Sequence, residues 1–227
     1  MKALSTLAVL VAGTLLGGSA PASAGIIFED NFESQPVGTA LSALTPPIGG
    51  GSYAGSTYGK IMAAGLGGNT GNYVGPTRNP SATIDWLNIS AANQTAVTNQ
   101  VVTFSLDAYV MSGTTATGFG ITTFTSQGYA GGGFNITLGV NGDVTYYDGS
   151  YHTIGTFATD QWNHVTVVAD YGTQTFKITV GNVIGQGGNF PTAAGNNTFS
   201  GLYLGNDSGP YIEEQYVYYD NVCLVLI

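Results

Sequence analysis

An antiparallel β-sandwich or barrel is the architecture that this sequence demands. Apolar and polar residues alternate in several short runs, glycine-rich turns separate the runs, and no segment keeps a helical period over a useful length. A strand of period two has one apolar face, and that face must be covered by a second sheet. With 227 residues, 35 of them glycine, the chain has turns in plenty and enough length for one sandwich-sized core.

The elements follow in order. Residues Met1 to Ala24 read as a secretory signal: Lys2 is the positive start, Leu7 to Leu16 the apolar stretch, and Ala22-Ser23-Ala24 the small-residue cleavage site before Gly25. The expected mature domain is therefore 25–227. In the opening run Ile26 to Glu33, period two puts Phe28, Asp30 and Phe32 on one face. The stretch Pro46 to Gly75 is rich in Gly, Ser, Thr and Tyr and reads as long surface loops, with room for an irregular strand over Ser52 to Tyr58. Ser81 to Gln100 is the best helical candidate, though it is diluted by Asn, Thr and Ser.

Clear strands come next. Val102, Phe104, Leu106, Ala108 and Val110 alternate with Thr103, Ser105, Asp107 and Tyr109. Phe134 to Val140 alternates likewise, reaches Asn141-Gly142, a strong hairpin signal, and returns through Asp143 to Tyr147. Val165, Val167 and Ala169 lead through an Asp170-Tyr171-Gly172 turn into Phe176, Ile178 and Val180. In the last run, Tyr216 to Ile227, period two groups Tyr218, Val222 and Leu224 with Asp220. Cys223 is the only cysteine, so no internal disulfide exists, and it reads as a packed thiol.

Charge excludes several functions. Once the signal is removed, Lys60, Arg78 and Lys177 are the only strong bases against 13 acids. A nucleic-acid binder needs a basic face to displace counterions, so that class is out. Beyond the signal no apolar run approaches the ~20 residues of a membrane span. The expectation is an exported protein, extracellular or at the cell surface, with no membrane insertion.

Asp30 and Asp220 both sit among apolar neighbours, where an ionised carboxylate needs a partner. Three bases cannot serve 13 acids, which leaves backbone amides, water or a cation, and calcium suits hard oxygen ligands.

The two ends of the chain carry a resemblance. Phe28-Glu29-Asp30-Asn31-Phe32-Glu33 followed by Pro36-Val37-Gly38-Thr39 resembles the opening strand of concanavalin A-like jelly-roll domains, the laminin-G-like and lectin/glucanase group. Tyr218-Tyr219-Asp220-Asn221-Val222 is similar to the Y-x-D-N-V last strand of that group and of calcium-containing carbohydrate-binding modules. Gln161 to Asp170 with Thr175 to Val180 resembles their W-x-x-V-x-x-x-x-D hairpin. The resemblance implies a two-sheet jelly roll of bacterial type whose first and last strands pair. It also implies a structural calcium ion shared by Asp30, Glu33 and Asp220.

Catalysis finds little support. The E-x-D-x-x-E strand of jelly-roll glucanases is absent, and the other glutamates, Glu213-Glu214, fall in a polar loop. Two histidines and one cysteine do not make a zinc site, and no G-x-S-x-G elbow occurs. Gly65-Leu66-Gly67-Gly68 reads as a flexible turn. His164, opposite Val165 and Val167 and near Trp162, is expected to pack there.

Binding is better supported. Fourteen tyrosines and two tryptophans are many for so uncharged a chain, and sugars stack on aromatic rings while carboxylates and amides take their hydroxyls. The candidate glycan-binding residues are Asp107 and Tyr109 on one strand, with Tyr147, Asp148, Tyr151 and His152 on the later hairpin and its loop. The expectation is a non-catalytic, lectin-like protein for a polysaccharide or glycan. An adhesive or structural surface protein that self-associates is the first alternative, and a polysaccharide hydrolase or lyase the second.

Overall fold

The computed structural model describes residues 25–44, 51–55, 59–76, 84–89, 97–113, 118–124, 134–181, 183–184, 188–190, 199, 201–207 and 217–227. The signal segment, residues 1–24, lies outside them. In chain order the strands are β1 (Gly25–Asp30), β2 (Gly51–Gly55), β3 (Gly59–Met62), β4 (Tyr73–Pro76) and β5 (Ile84–Ile89). β6 (Val101–Val110), β7 (Gly118–Phe124), β8 (Asn135–Gly139), β9 (Asp143–Tyr147) and β10 (Tyr151–Thr156) follow. β11 (Trp162–Asp170), β12 (Thr175–Val180), β13 (Val183–Ile184), β14 (Gly201–Asp207) and β15 (Val217–Leu226) complete the set.

They form an antiparallel two-sheet sandwich. The first sheet runs β13-β12-β11-β6-β15-β4-β3, with β1 also paired to β15; the second runs β10-β9-β8-β7-β14-β5-β2. Strand β15 is the hub of the first sheet. One edge pairs with β6 over most of its length, and the other is divided between β4, opposite Tyr219, and β1, opposite Val222 to Leu226. The first and last strands therefore lie side by side, as expected. Among the described residues no helix is long and apolar enough to cross a membrane.

The alternating runs behave as period two requires. On β6 the side chains of Val102, Phe104, Leu106, Ala108 and Val110 enter the core, where they meet Val165, Val167 and Ala169 of β11 and Phe176, Ile178 and Val180 of β12. Ile136, Leu138 and Val144 of the second sheet close the same cluster. Burying each such side chain contributes about 1.5–3 kcal/mol, which a chain without disulfides must rely on.

Three expectations change in detail. The loop-like stretch 46–75 holds β2, β3 and β4, and only 63–72 is a loop among its described residues. Within the helical candidate 81–100, residues 84–89 form strand β5, paired on both sides by β2 and β14. Cross-strand partners outweigh a weak helical propensity there. At Asn141-Gly142 the hairpin forms, but only Gly142 has a left-handed backbone (φ 87°). Its N–H donates to Gly139 O at 2.9 Å, so Val140 and Asn141 make the turn and Gly142 the bulge.

The last strand carries the correction that matters most. Asp220 pairs with Asp107, yet Cys223 pairs with Ser105, so two residues oppose one and Asn221 takes a left-handed φ of 52°. This β-bulge reverses the phase of β15. Tyr219 points into the core before it, and Val222 and Leu224 point into the core after it. Tyr218 and Asp220 consequently share the outer face, and Asp220 does not lie with Val222 and Leu224.

The opening strand keeps its inward phase. Phe28 and Asp30 face the core, Asp30 being 1% exposed. Phe32 is also buried, but it returns to the core through a turn with φ 57°, not along the strand. Asp30 sets that turn by accepting the Phe32 N–H at 2.8 Å, and it accepts the Tyr53 hydroxyl of the opposite sheet at 2.6 Å. Burial raises the Asp30 pKa, against the pull of these hydrogen bonds.

Replacing Tyr53 by Phe removes a donor and leaves the buried carboxyl less satisfied. The expected loss is about 1–3 kcal/mol. It should be larger at pH 7 than at pH 4, because the variant disfavours only the ionised form; equal losses in urea melts at both pH values would count against this role.

Candidate functional site

The expected binding residues separate onto two sheets. Asp107 and Tyr109 lie on the outer face of the first sheet, whereas Tyr147, Asp148, Tyr151 and His152 lie on the β9–β10 hairpin at an edge of the second.

On the first sheet, register builds two rungs across three strands. Trp162, Tyr109 and Tyr218 are successive partners on β11, β6 and β15; two residues along stand His164, Asp107 and Asp220. The aromatic rung is packed together. Tyr109 meets Trp162 edge-on at 5.7 Å and Tyr218 at 6.1 Å, while Tyr73 of β4 meets both Trp162 and Tyr218 at 5.7 Å.

Loop 63–72 crosses this rung. The Trp162 indole Nε1 donates to Leu66 O at 2.9 Å. A Cβ at Gly67 would sit 2.5 Å from the Tyr109 ring, and its φ of 54° also favours glycine. The glycine run read as a flexible turn is thus a close-fitting cover. Beneath it Tyr109 is only 8% exposed, which closes it to a sugar ring.

The polar rung is held by hydrogen bonds. His164 Nδ1 lies 2.7 Å from Asp107 Oδ1, and Asn221 Nδ2 donates to Asp107 Oδ2 at 2.8 Å. Asn69 in the loop donates to Asp220 Oδ2 at 3.0 Å. His164 does not pack as expected: its side chain is 61% exposed, with Asp107 fixing one ring nitrogen. The hydrogen bond to Asp107 raises its pKa, with burial opposing. Alternation alone places His164 outward, but only the β11–β6 register puts it opposite Asp107, and one strand's sequence does not encode its neighbour's register.

Asp220 is 4% exposed, and its pKa is pushed up to about 6. Burial is the main cause, the charges of Asp107 and Glu33 add to it, and the bonds from Asn69 and the Asn221 N–H oppose it. Glu33 accepts the Asn72 N–H at 3.1 Å on this same side. Asp30, by contrast, faces the core on the other side of the sheet, its oxygens taken by Phe32, Tyr53 and Gln35. The structure thus does not bring Asp30, Glu33 and Asp220 together as one calcium ligand set, and the described residues hold no cluster of three His, Cys, Asp or Glu that could bind a metal. The bulge at Asn221 is the reason, since it turns Asp220 outward.

The hairpin residues, in contrast, come together. Tyr147 and Tyr151 are cross-strand partners with ring centroids 5.0 Å apart and planes inclined by 53°. Tyr151 is 72% exposed. His152 stacks on Tyr146 at 4.8 Å, and its Nε2 reaches Asp148 Oδ1 at 2.9 Å and Ser150 Oγ at 3.0 Å. Desolvation would raise the Asp148 pKa, but the hydrogen bonds from His152 and Ser150 outweigh it and hold the carboxyl below its usual range. The site thus offers an exposed pair of rings flanked by a fixed carboxylate, an imidazole and a hydroxyl.

No protein-family model and no curated protein matches the chain. Solved structures share its fold. A carbohydrate esterase of the Shiga toxin-encoding bacteriophage phi24B is 14% identical at a TM-score of 0.59, over 90% of this chain and 99% of that one. The botulinum neurotoxin serotype D binding domain is 11% identical at a TM-score of 0.60, over 88% of this chain and 47% of that one. A sialidase is 12% identical at 0.52, and the match takes in 74% of this chain but only 17% of the sialidase. The chain thus spans less than half of the toxin domain and a small part of the sialidase. At such identities the likeness is one of fold.

The outer-face carboxyl generates a pH prediction. The folded state holds a proton on Asp220 up to about 6, against 3.8 for the ordinary value, so this contribution to stability is complete below about pH 4 and is lost as pH rises to about 6. Asp220→Asn should flatten the fall in melting temperature between pH 4.5 and 7. An unchanged slope would show that Asp220 titrates normally.

Proposed function

We propose that this protein is a secreted, non-catalytic glycan-binding sandwich whose ligand lies on the Tyr147–Tyr151 pair. One observation carries the reading: two tyrosines face each other across a hairpin with rings 5.0 Å apart, and one of them stands 72% exposed beside Asp148, Ser150 and His152. An exposed aromatic gains nothing for the core, whereas a sugar ring can stack on it and give its hydroxyls to neighbouring polar groups. Export rests on the segment Met1 to Ala24.

The fold neighbours support the carbohydrate side of this reading. One is a sialidase, another a carbohydrate esterase, and a third comes from botulinum neurotoxin type C, whose cell entry depends on two ganglioside molecules. That toxin structure is 9% identical at a TM-score of 0.59, over 88% of this chain and 47% of its own.

Tyr151→Ala should lower affinity for a glycan identified by array screening about tenfold or more, the equivalent of one lost stacking contact. Its melting temperature should stay near that of the parent, because so exposed a ring holds little of the core. Full binding by Tyr151→Ala and by Tyr147→Ala would remove the platform from the proposal.

A further inference from the structure

We infer that the hairpin platform selects glycans carrying free amino groups and rejects those carrying carboxylates, an inference that rests on the glycan-binding reading above. Its basis is the distribution of charge around the two rings. Asp148 accepts from His152 Nε2, from the Ser150 N–H and from Ser150 Oγ, and all three contacts fall on Oδ1. Its second oxygen, Oδ2, takes no hydrogen bond from the described residues and is left for a ligand. The carboxyl is ionised at any ordinary pH.

No fixed cation balances it. The sequence holds no Lys or Arg between Arg78 and Lys177, so strands β7 to β11 and their turns carry none, while Asp143, Asp148 and Asp160 all fall in this region. Lys177 lies on β12 and Lys60 on β3, both in the other sheet. The whole chain adds a net charge of −9.

The faces of Tyr147 and Tyr151 contribute in the same sense, because an aromatic ring presents negative charge on its face and attracts cations there. A protonated amine on a sugar ring can therefore meet Asp148 Oδ2 while the ring stacks. A uronic or sialic acid would instead bring a second anion beside Asp148 with nothing to neutralise it. The ganglioside partner of the fold neighbour is thus not the class of ligand that this hairpin suits.

Calorimetry on the full mature chain tests this with three probes: a glucosamine tetramer, the same tetramer fully N-acetylated, and tetragalacturonate, at low salt and at a pH that keeps the amine protonated. The amino tetramer should bind roughly tenfold tighter than the acetylated one, with tetragalacturonate weakest. Asp148→Asn should shrink that ratio to about twofold, and added salt should shrink it in the parent protein even if the variant fails to fold. Tetragalacturonate binding as tightly as the amino tetramer, or a ratio unmoved by both salt and Asp148→Asn, would overturn the inference. If the acetylated tetramer binds through Tyr151 without any charge preference, the platform stands and only the selectivity falls. If none of the three binds, both fall.

Discussion

The final strand determines how everything else is arranged. β15 gives one edge to β6 and shares the other between β4 and β1, so the chain's last residues close the first sheet around its opening strand. Without a disulfide, that closure depends on backbone pairing and on the inward row of Tyr219, Val222 and Leu224. The row stays continuous only because the bulge at Asn221 absorbs one residue. A left-handed non-glycine residue stores some strain, on the order of 1 kcal/mol, which the surrounding pairing offsets.

The bulge also decides the chemistry of the outer face. It turns Asp220 away from the core to stand beside Asp107, and it presents the Asn221 amide to Asp107. From that one extra residue follow the raised pKa of Asp220, the row that ends in His164, and the separation of Asp30 from Asp220. Scarcity of bases shapes the rest. With so few Lys and Arg, the buried carboxyls are served by neutral donors: Tyr53 and the Phe32 amide for Asp30, Asn69 and the Asn221 amide for Asp220. The described ion pairs both involve histidine, His152 with Asp148 and His164 with Asp107.

Much of the fold was legible because alternation is a local signal. Val102 to Val110, Phe134 to Tyr147 and Val165 to Val180 each reveal their buried face without reference to another strand. What depends on neighbours was hidden. Residues 84–89 look weakly helical until β2 and β14 flank them, and the phase of Asp220 is wrong until its register against β6 is known. The candidate site divides in the same way. Tyr147, Asp148, Tyr151 and His152 are close in sequence and meet across one hairpin, so composition and spacing sufficed. Tyr109 looked equally available, but the loop around Gly67, far away in sequence, covers it.

Hydrogen exchange followed by NMR tests the central role of β15 most directly. If the last strand closes the sheet as described, the amides of β15 that pair with β6, such as Leu224 and Leu226, should exchange only through global unfolding, as slowly as those in the middle of β6. Exchange of these amides at the rate of a fraying terminus, while β6 and β11 stay protected, would contradict the account.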